Sequence, residues 1–133
     1  MQRMTELTIK TRKKRDVVDI TDGINSFLKS EKAKSGLVHL FVTHTTAALT
    51  TADLDPGGTE QDYLDAFEQM IPRLEYRHPH NPSHMPDHIL SSLIGTSLTV
   101  PVKDGELVLG TWQRVVLVEL DGPRERRVIV SFP

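Results

Sequence analysis

The 133-residue chain contains no cysteine, which removes disulfides, thiolate nucleophiles and every cysteine-based zinc site. Any metal must then be held by histidine and carboxylate. The sequence also lacks an apolar run approaching the roughly eighteen residues of a membrane span. Its first residues, MQRMTELTIKTRKKRD, have neither the apolar segment nor the small-residue cleavage site of a secretory signal. A soluble, cytoplasmic protein with no membrane partner is the expectation. An excess of one charge sign is missing as well. The formal net charge is −2, and the one dense basic run, Arg12 to Arg15, is short and has no aromatics interleaved with it, so nucleic acid is not expected as a partner. Repeats, low-complexity tracts and linkers are absent, and the length suits a single domain, residues 1–133, with a core large enough to fold unaided.

What is present alternates between two periods. Thr5, Leu7 and Ile9 lie in an alternating stretch that predicts a strand over 4–10, with a second around Val17 to Ile20. Thr21 then stands where it could cap a helix carrying Ile24, Phe27 and Leu28 on one face, and Gly36 marks a reversal. LVHLFVT, 37–43, reads as a buried strand that delivers HTTAALTTAD at its end. DPGG at 55–58 is a turn, and Thr59 with Asp62 resembles a capping box opening a helix that turns Leu64, Phe67 and Ile71 inward and stops at Pro72. A proline-broken segment follows, then a short helix capped by Ser83 or Asp87 and ended by Gly95. Strands over 97–102, 107–120 and 126–132, joined by hairpin signals at KDG and DGPR, close the chain. The fold class predicted is α+β, a largely antiparallel β-sandwich or curved sheet with two or three helices on the connections.

Four of the six histidines fall within HPHNPSHMPDH, residues 78–88. His84 and His88 have the spacing of a helical zinc pair, but Pro86 belongs in a first helical turn and leaves His84 in the loop before it. His39, inside a strand, reads as a half-buried, hydrogen-bonded residue. His44 differs, because it sits where a rigid strand would present a ligand. The only tryptophan, Trp112, is equally compatible with sheet packing and with stacking on a ligand; Gly110 and Gln113 beside it suit a small polar molecule. Arg124 can pair with Asp121 or hold a phosphate in its fork. Among the carboxylates Asp53, Asp55, Glu60 and Asp62, capping or solvation accounts for most, and Asp53 is the candidate to test.

HTTAAL at 44–49, YRH at 76–78, HILSSLIGTSLTVPV at 88–102 and GTWQ at 110–113 together resemble the YjbQ-like family over essentially the whole chain. After HTTAAL this sequence continues TTADLDPGG, where many relatives have an asparagine–glutamate–asparagine pattern. The resemblance implies a small, largely antiparallel α+β fold, a homotrimer with its active site near subunit interfaces, and a divalent metal bound by histidines. By position, His44, His78 and His88 become the implied metal set, with His80 and His84 outside it. Zinc suits three imidazoles, while magnesium is the usual ion of pyrophosphate chemistry. Thr45, Ser97, Thr111, Trp112 and Gln113 lie in these motifs and are expected to bind substrate, with Asp53 and Arg124 in catalytic roles.

The activity implied is that of a secondary thiamine-phosphate synthase, joining hydroxymethylpyrimidine pyrophosphate to a thiazole phosphate with release of pyrophosphate. In it Arg124 and a metal would stabilise the leaving group while Trp112 stacks on the pyrimidine and Gln113 binds its edge. A zinc hydrolase of a small phosphorylated metabolite and a non-catalytic trimeric binding protein for metal and metabolite are the alternatives.

Overall fold

A computed structural model describes residues 2–133. Side-chain alternation decides its layers. In β3 (Gly36–Val42), Val38, Leu40 and Val42 are buried while Leu37, His39 and Phe41 face outward. The same period runs through β5 (Ser97–Lys103) and β8 (Glu125–Phe132), and with β1 (Arg3–Lys10) and the two-residue β6 (Glu106–Leu107) they form one sheet ordered β1-β8-β3-β5-β6. A second sheet, β2-β7-β4, is built from β2 (Asp16–Asp19), β7 (Gln113–Glu119) and β4 (Ala47–Asp53). Every strand pairing in both sheets is antiparallel.

The run VVLVEL in and just after β7 does not alternate, because this strand is covered on both faces. Val115 and Leu117 join the core against the larger sheet, together with Ile24 and Leu28 of α1 (Thr21–Ser30). Val116 and Val118 face the other way, toward Leu90 of α3 (Met85–Ile94) and toward Tyr63, Leu64 and Phe67 of α2 (Thr59–Met70). The result is α+β: two stacked antiparallel sheets with α2 and α3 laid on the outer face of the smaller one. No helix among the described residues is long and apolar enough to cross a membrane.

Several local expectations are corrected. HTTAALTTAD is mostly strand: from Ala47 it pairs with β7, and only Thr43–Thr46 remain as a connection. The strand expected over 107–120 is broken, since the Gly110 amide donates to Gln113 Oε1 at 3.0 Å and the Gln113 amide to the Gly110 carbonyl at 3.1 Å, closing a turn before β7 starts. Thr21 is not a cap. Asp19 Oδ1 accepts from the Thr21 amide at 3.0 Å, and the Thr21 hydroxyl is spent on the Val115 amide at 2.7 Å. The Thr59–Asp62 capping box does not form either; Gly58, at φ 116°, brings the chain into α2 in a conformation that favours glycine. Ahead of α3 a 3₁₀ turn, Pro82–His84, is capped by Asn81, whose Oδ1 accepts from the Ser83 amide at 3.1 Å. Asp87, the other expected cap, is buried and bound by Arg15 and Lys14 instead.

Candidate functional site

The connection Thr43–Thr46 crosses from one sheet to the other at the end of β3, and this is what puts His44 at the mouth of a cleft. The backbone amide of Arg127 donates to His44 Nε2 at 2.9 Å. A nitrogen that accepts a hydrogen bond carries no proton, so in the neutral ring the proton sits on Nδ1. Burial first, then the positive charges of Arg126, Arg127 and Arg124, hold the His44 pKa below the ordinary imidazole range, with Glu119 pulling the other way. His88, from α3, enters the same cleft and donates from Nδ1 to the Thr45 carbonyl at 3.0 Å, so in the neutral ring Nε2 is the acceptor. The His78 ring stands edge-on to His88 with centroids 4.7 Å apart. The cleft has a volume of about 710 Å³, and Thr45, His84, Asp121 and Arg124 complete much of its wall. That size suits a small metabolite.

Under the cleft lies an ion pair that is almost wholly buried. Arg126 is 1% exposed and Glu119 0%. Arg126 Nε donates to Glu119 Oε2 at 2.8 Å, and its Nη2 donates to Glu119 Oε1 and, at 3.0 Å each, to the carbonyl and hydroxyl oxygens of Thr46. Glu119 also accepts from the Thr11 hydroxyl at 2.6 Å and from the Asp121 amide at 3.0 Å. Burial pushes its carboxyl up, but these hydrogen bonds and the Arg126 charge outweigh it and leave its pKa below the usual carboxylate value. Buried charge is tolerable only when it is paired in this way. Because Arg126 holds both oxygens of Thr46, the pair also fixes the chain that carries His44.

On the rim, Arg124 donates from Nε to the Asp121 carbonyl at 2.8 Å and from Nη2 to Asp121 Oδ2 at 3.1 Å. Lys14 Nζ reaches Asp121 Oδ1 at 2.7 Å. Burial raises the Asp121 pKa, but hydrogen bonds from Lys14 and Arg124 prevail and lower it, with the positive charge of Lys14 adding to the effect. Asp121 is therefore a neutralised counter-ion, and Arg124 keeps a half-exposed guanidinium at the cleft edge.

A second, shallower hollow lies at the other end of β4, between Thr51, Asp53, Tyr63, Gly110, Trp112 and Gln113. Trp112 is 67% exposed there, which rules out the sheet-packing role. Gln113 Nε2 donates to Thr51 Oγ1 at 3.1 Å. Asp53 Oδ1 accepts from the Asp55 amide at 3.0 Å, so part of its carboxylate is taken by the turn. Thr46 precedes β4 and Asp53 ends it, and seven strand steps of about 3.3 Å put the two ends on the order of 20 Å apart.

The family model for "UPF0047 protein YjbQ-like" matches residues 5–133. A UPF0047 protein of Archaeoglobus fulgidus is 42% identical over 127 residues, covering 95% of this chain and 98% of that one. The UPF0047 protein YugU of Bacillus subtilis is 35% identical over 126 residues, covering 95% and 96%. Among solved structures, a YbjQ-like protein of unknown function from Sulfolobus solfataricus superposes with a TM-score of 0.89 at 30% identity, covering 99% of this chain and 96% of that one. A conserved hypothetical protein from Thermus thermophilus gives 0.85 at 34%, covering 97% and 99%. The chain belongs to the YjbQ-like family, UPF0047.

Against this YjbQ-like frame the expected residues fall into two groups. His44, Thr45, His88 and Arg124 share the cleft, with His78 against His88. Asp53, Trp112 and Gln113 share the far hollow, with Thr111 in the turn leading into it. Ser97 heads β5 opposite Phe41 and lines neither. The three-histidine metal set does not fit a single chain. His44 has one ring nitrogen engaged as an acceptor and the other protonated, and no three His, Asp or Glu side chains are grouped to hold an ion among the described residues. His39 is exposed on the outer sheet, with Nδ1 2.8 Å from the Thr99 hydroxyl. His84, expected in the loop outside the metal set, lines the cleft, whereas His80 is exposed in the loop at φ 70°.

The residues missed are Arg126, Glu119, Thr46 and Thr11. The signal for two of them was there. Arg126 is in phase with the inward Val128, Val130 and Phe132, and Glu119 interrupts VVLVEL; two charges of opposite sign at inward positions on consecutive strands predict each other.

Proposed function

We propose that this YjbQ-like protein is an enzyme of small phosphorylated metabolites, and specifically that it joins a hydroxymethylpyrimidine pyrophosphate to a thiazole phosphate. The observation that carries this is the His44 cleft, where Arg124 on the rim and Arg126 in the floor set cationic donors around a space of metabolite size. In the reaction the lone pair of the thiazole nitrogen forms a C–N bond to the methylene carbon while the C–O bond to pyrophosphate breaks. The electron pair leaves with pyrophosphate, the nitrogen becomes a thiazolium, and no proton has to move. Charge accumulating on the leaving group is what needs stabilising, and pre-placed guanidinium groups do that without reorganisation.

Trp112 and Gln113, the groups suited to a flat heteroaromatic ring, stand at the opposite end of β4 from this cleft. A substrate in the cleft would meet them only if another copy of the chain supplied them. We therefore propose a homotrimer with its sites between subunits, the threefold count following from the family resemblance.

The test is thiamine-phosphate formation that scales with protein and is lost in both Arg124→Ala and Trp112→Ala. Mixing the two inactive variants after subunit exchange should restore part of the activity, because some interfaces then pair an intact Arg124 with an intact Trp112. Turnover undiminished in both variants would show that neither residue serves this reaction.

A further inference from the structure

We propose that the His44 cleft is a built receptor for a tetrahedral phosphoryl group, in which His44 Nδ1–H and Arg126 Nη1 are the donors and His44 is not a metal ligand. This deepens the function proposed above and rests on its placing of a phosphorylated substrate in the cleft. Three features lead to it.

The first is the His44 ring. The Arg127 amide belongs to β8, whose register with β3 and β1 is fixed, so the donor facing Nε2 cannot turn away. Turning the ring over would put a C–H against that amide, and coordinating a metal through Nδ1 would leave Nε2 protonated and facing another N–H. Either change loses the bond and leaves the Arg127 amide without its partner. In the arrangement present, the remaining polar atom of the ring is an N–H donor.

The second is Arg126. Its Nε and Nη2 are committed to Glu119 and Thr46, while Nη1 has no hydrogen-bond partner among the described residues. Yet Nη1 is not among the sealed, unpartnered polar atoms, and Arg126 lines the cleft. A side chain that is 1% exposed thus offers its one free nitrogen to this space. Fork-shaped guanidinium donors match phosphate oxygens.

The third is what the neighbouring acids are doing. Glu119 lies behind Arg126 and is fully hydrogen-bonded, and Asp121 is held by Lys14 and Arg124. Glu125 is two-thirds exposed on the rim, its carboxylate 3.9 Å from Lys10 Nζ. The acids next to Arg126 are therefore spent on partners of their own, and His44 Nδ1–H and Arg126 Nη1 are the donors left for an oxyanion, with His88 Nε2 and the rim carboxylate of Glu125 outside the receptor.

The experiment uses the full chain with inorganic phosphate as probe, read by calorimetry and by ¹⁵N NMR of the histidine rings, alongside Zn²⁺ alone and acetate. Phosphate should bind and shift the His44 Nδ1–H signal, and Zn²⁺ alone should leave the His44 tautomer pattern in place. His44→Gln keeps a carbonyl for the Arg127 amide but has no donor at the Nδ1 position. It should melt with the wild type and bind phosphate on the order of tenfold to a hundredfold more weakly, the range of a hydrogen bond to a charged partner. A metal-bound His44 signal with Zn²⁺, equal phosphate binding by His44→Gln, or acetate binding as tightly as phosphate would each overturn the proposal. Phosphate binding through His44 with no synthase turnover supports this inference while removing the proposed reaction. Turnover without any phosphate binding removes the inference alone.

Discussion

Arg126 on β8 holds Glu119 on β7 from beneath the cleft, Nε to Oε2 at 2.8 Å, with both side chains 1% exposed or less. Taking one partner away leaves the other charged and without its counter-ion in a nearly dry site, a loss of about 3–5 kcal/mol. Glu119→Gln and Arg126→Met are each expected to fall in that range by urea denaturation. The double variant Glu119→Leu/Arg126→Met should lose much less than the sum of its parts, because neither charge is then stranded. Additive losses would mean that the two side chains contribute through separate contacts and not as a pair.

Gly122 passes directly over the same pair. A Cβ there would lie 2.3 Å from the Lys13 carbonyl oxygen and 2.8 Å from Glu119 Cγ. The first of these is backbone and the second belongs to a fully hydrogen-bonded buried group, so neither can give way without breaking something. Gly122→Ala should therefore destabilise the protein by about 1–3 kcal/mol, as overpacking does. Gly23, with nothing within 4 Å of its virtual Cβ, is the control; it lies inside α1, where Gly→Ala should be neutral or stabilising by up to about 1 kcal/mol. Equal effects at the two positions would deny the close contact at Gly122.

Acid should weaken the fold in two stages. The His44 pKa is lowered by burial and by the surrounding arginines from an ordinary value of 6.5. The unfolded chain therefore takes up this proton first as pH falls. The stabilisation is complete above 6.5 and is lost below it, as pH drops toward the folded value. Glu119, Asp121 and Asp19 also have lowered pKa values, from ordinary values of 4.5, 3.8 and 3.8, so their contributions hold above those values and fail only in stronger acid. His44→Gln should flatten the decline just below pH 6.5 and leave the lower stage in place. If the upper stage is unchanged in His44→Gln, a different group is titrating there.

Much of the architecture was legible because period-two alternation and turn chemistry act locally. The strand in LVHLFVT, the one beginning at Ser97 and the KDG hairpin from β5 to β6 follow from them. DGPR, expected to close a hairpin, instead carries the chain from β7 in the smaller sheet to β8 in the larger one, and those two strands do not pair. HTTAALTTAD was not legible as a strand, since β4 is buried on both faces at Ala47 and Ala48 and so shows no alternation. Caps were misplaced at Thr21, Thr59 and Asp87, where tertiary partners claimed the side chain or a glycine made a cap unnecessary. The site divided for a similar reason. Motif spacing brought His44 and Trp112 into one list, but only the antiparallel pairing of β4 with β7 shows that their segments lie at opposite ends of a strand. The state of His44 was beyond sequence altogether, because it depends on an amide 83 positions away.

Trp112 gives the proposed assembly a direct reading. It is the only tryptophan and is 67% exposed in the single chain. An indole in water emits at longer wavelength than one stacked on protein, so dilute, dissociated chain should show the exposed spectrum. As concentration rises and sedimentation reports assembly, emission should shift to the blue if Trp112 moves against another subunit's cleft. Arg124→Ala, which alters that cleft and leaves Trp112 in place, should reduce the shift at equal assembly. An exposed spectrum throughout, at concentrations where the chain is demonstrably oligomeric, would place Trp112 outside the interface. It would also break the link between the two ends of β4 on which the shared site depends.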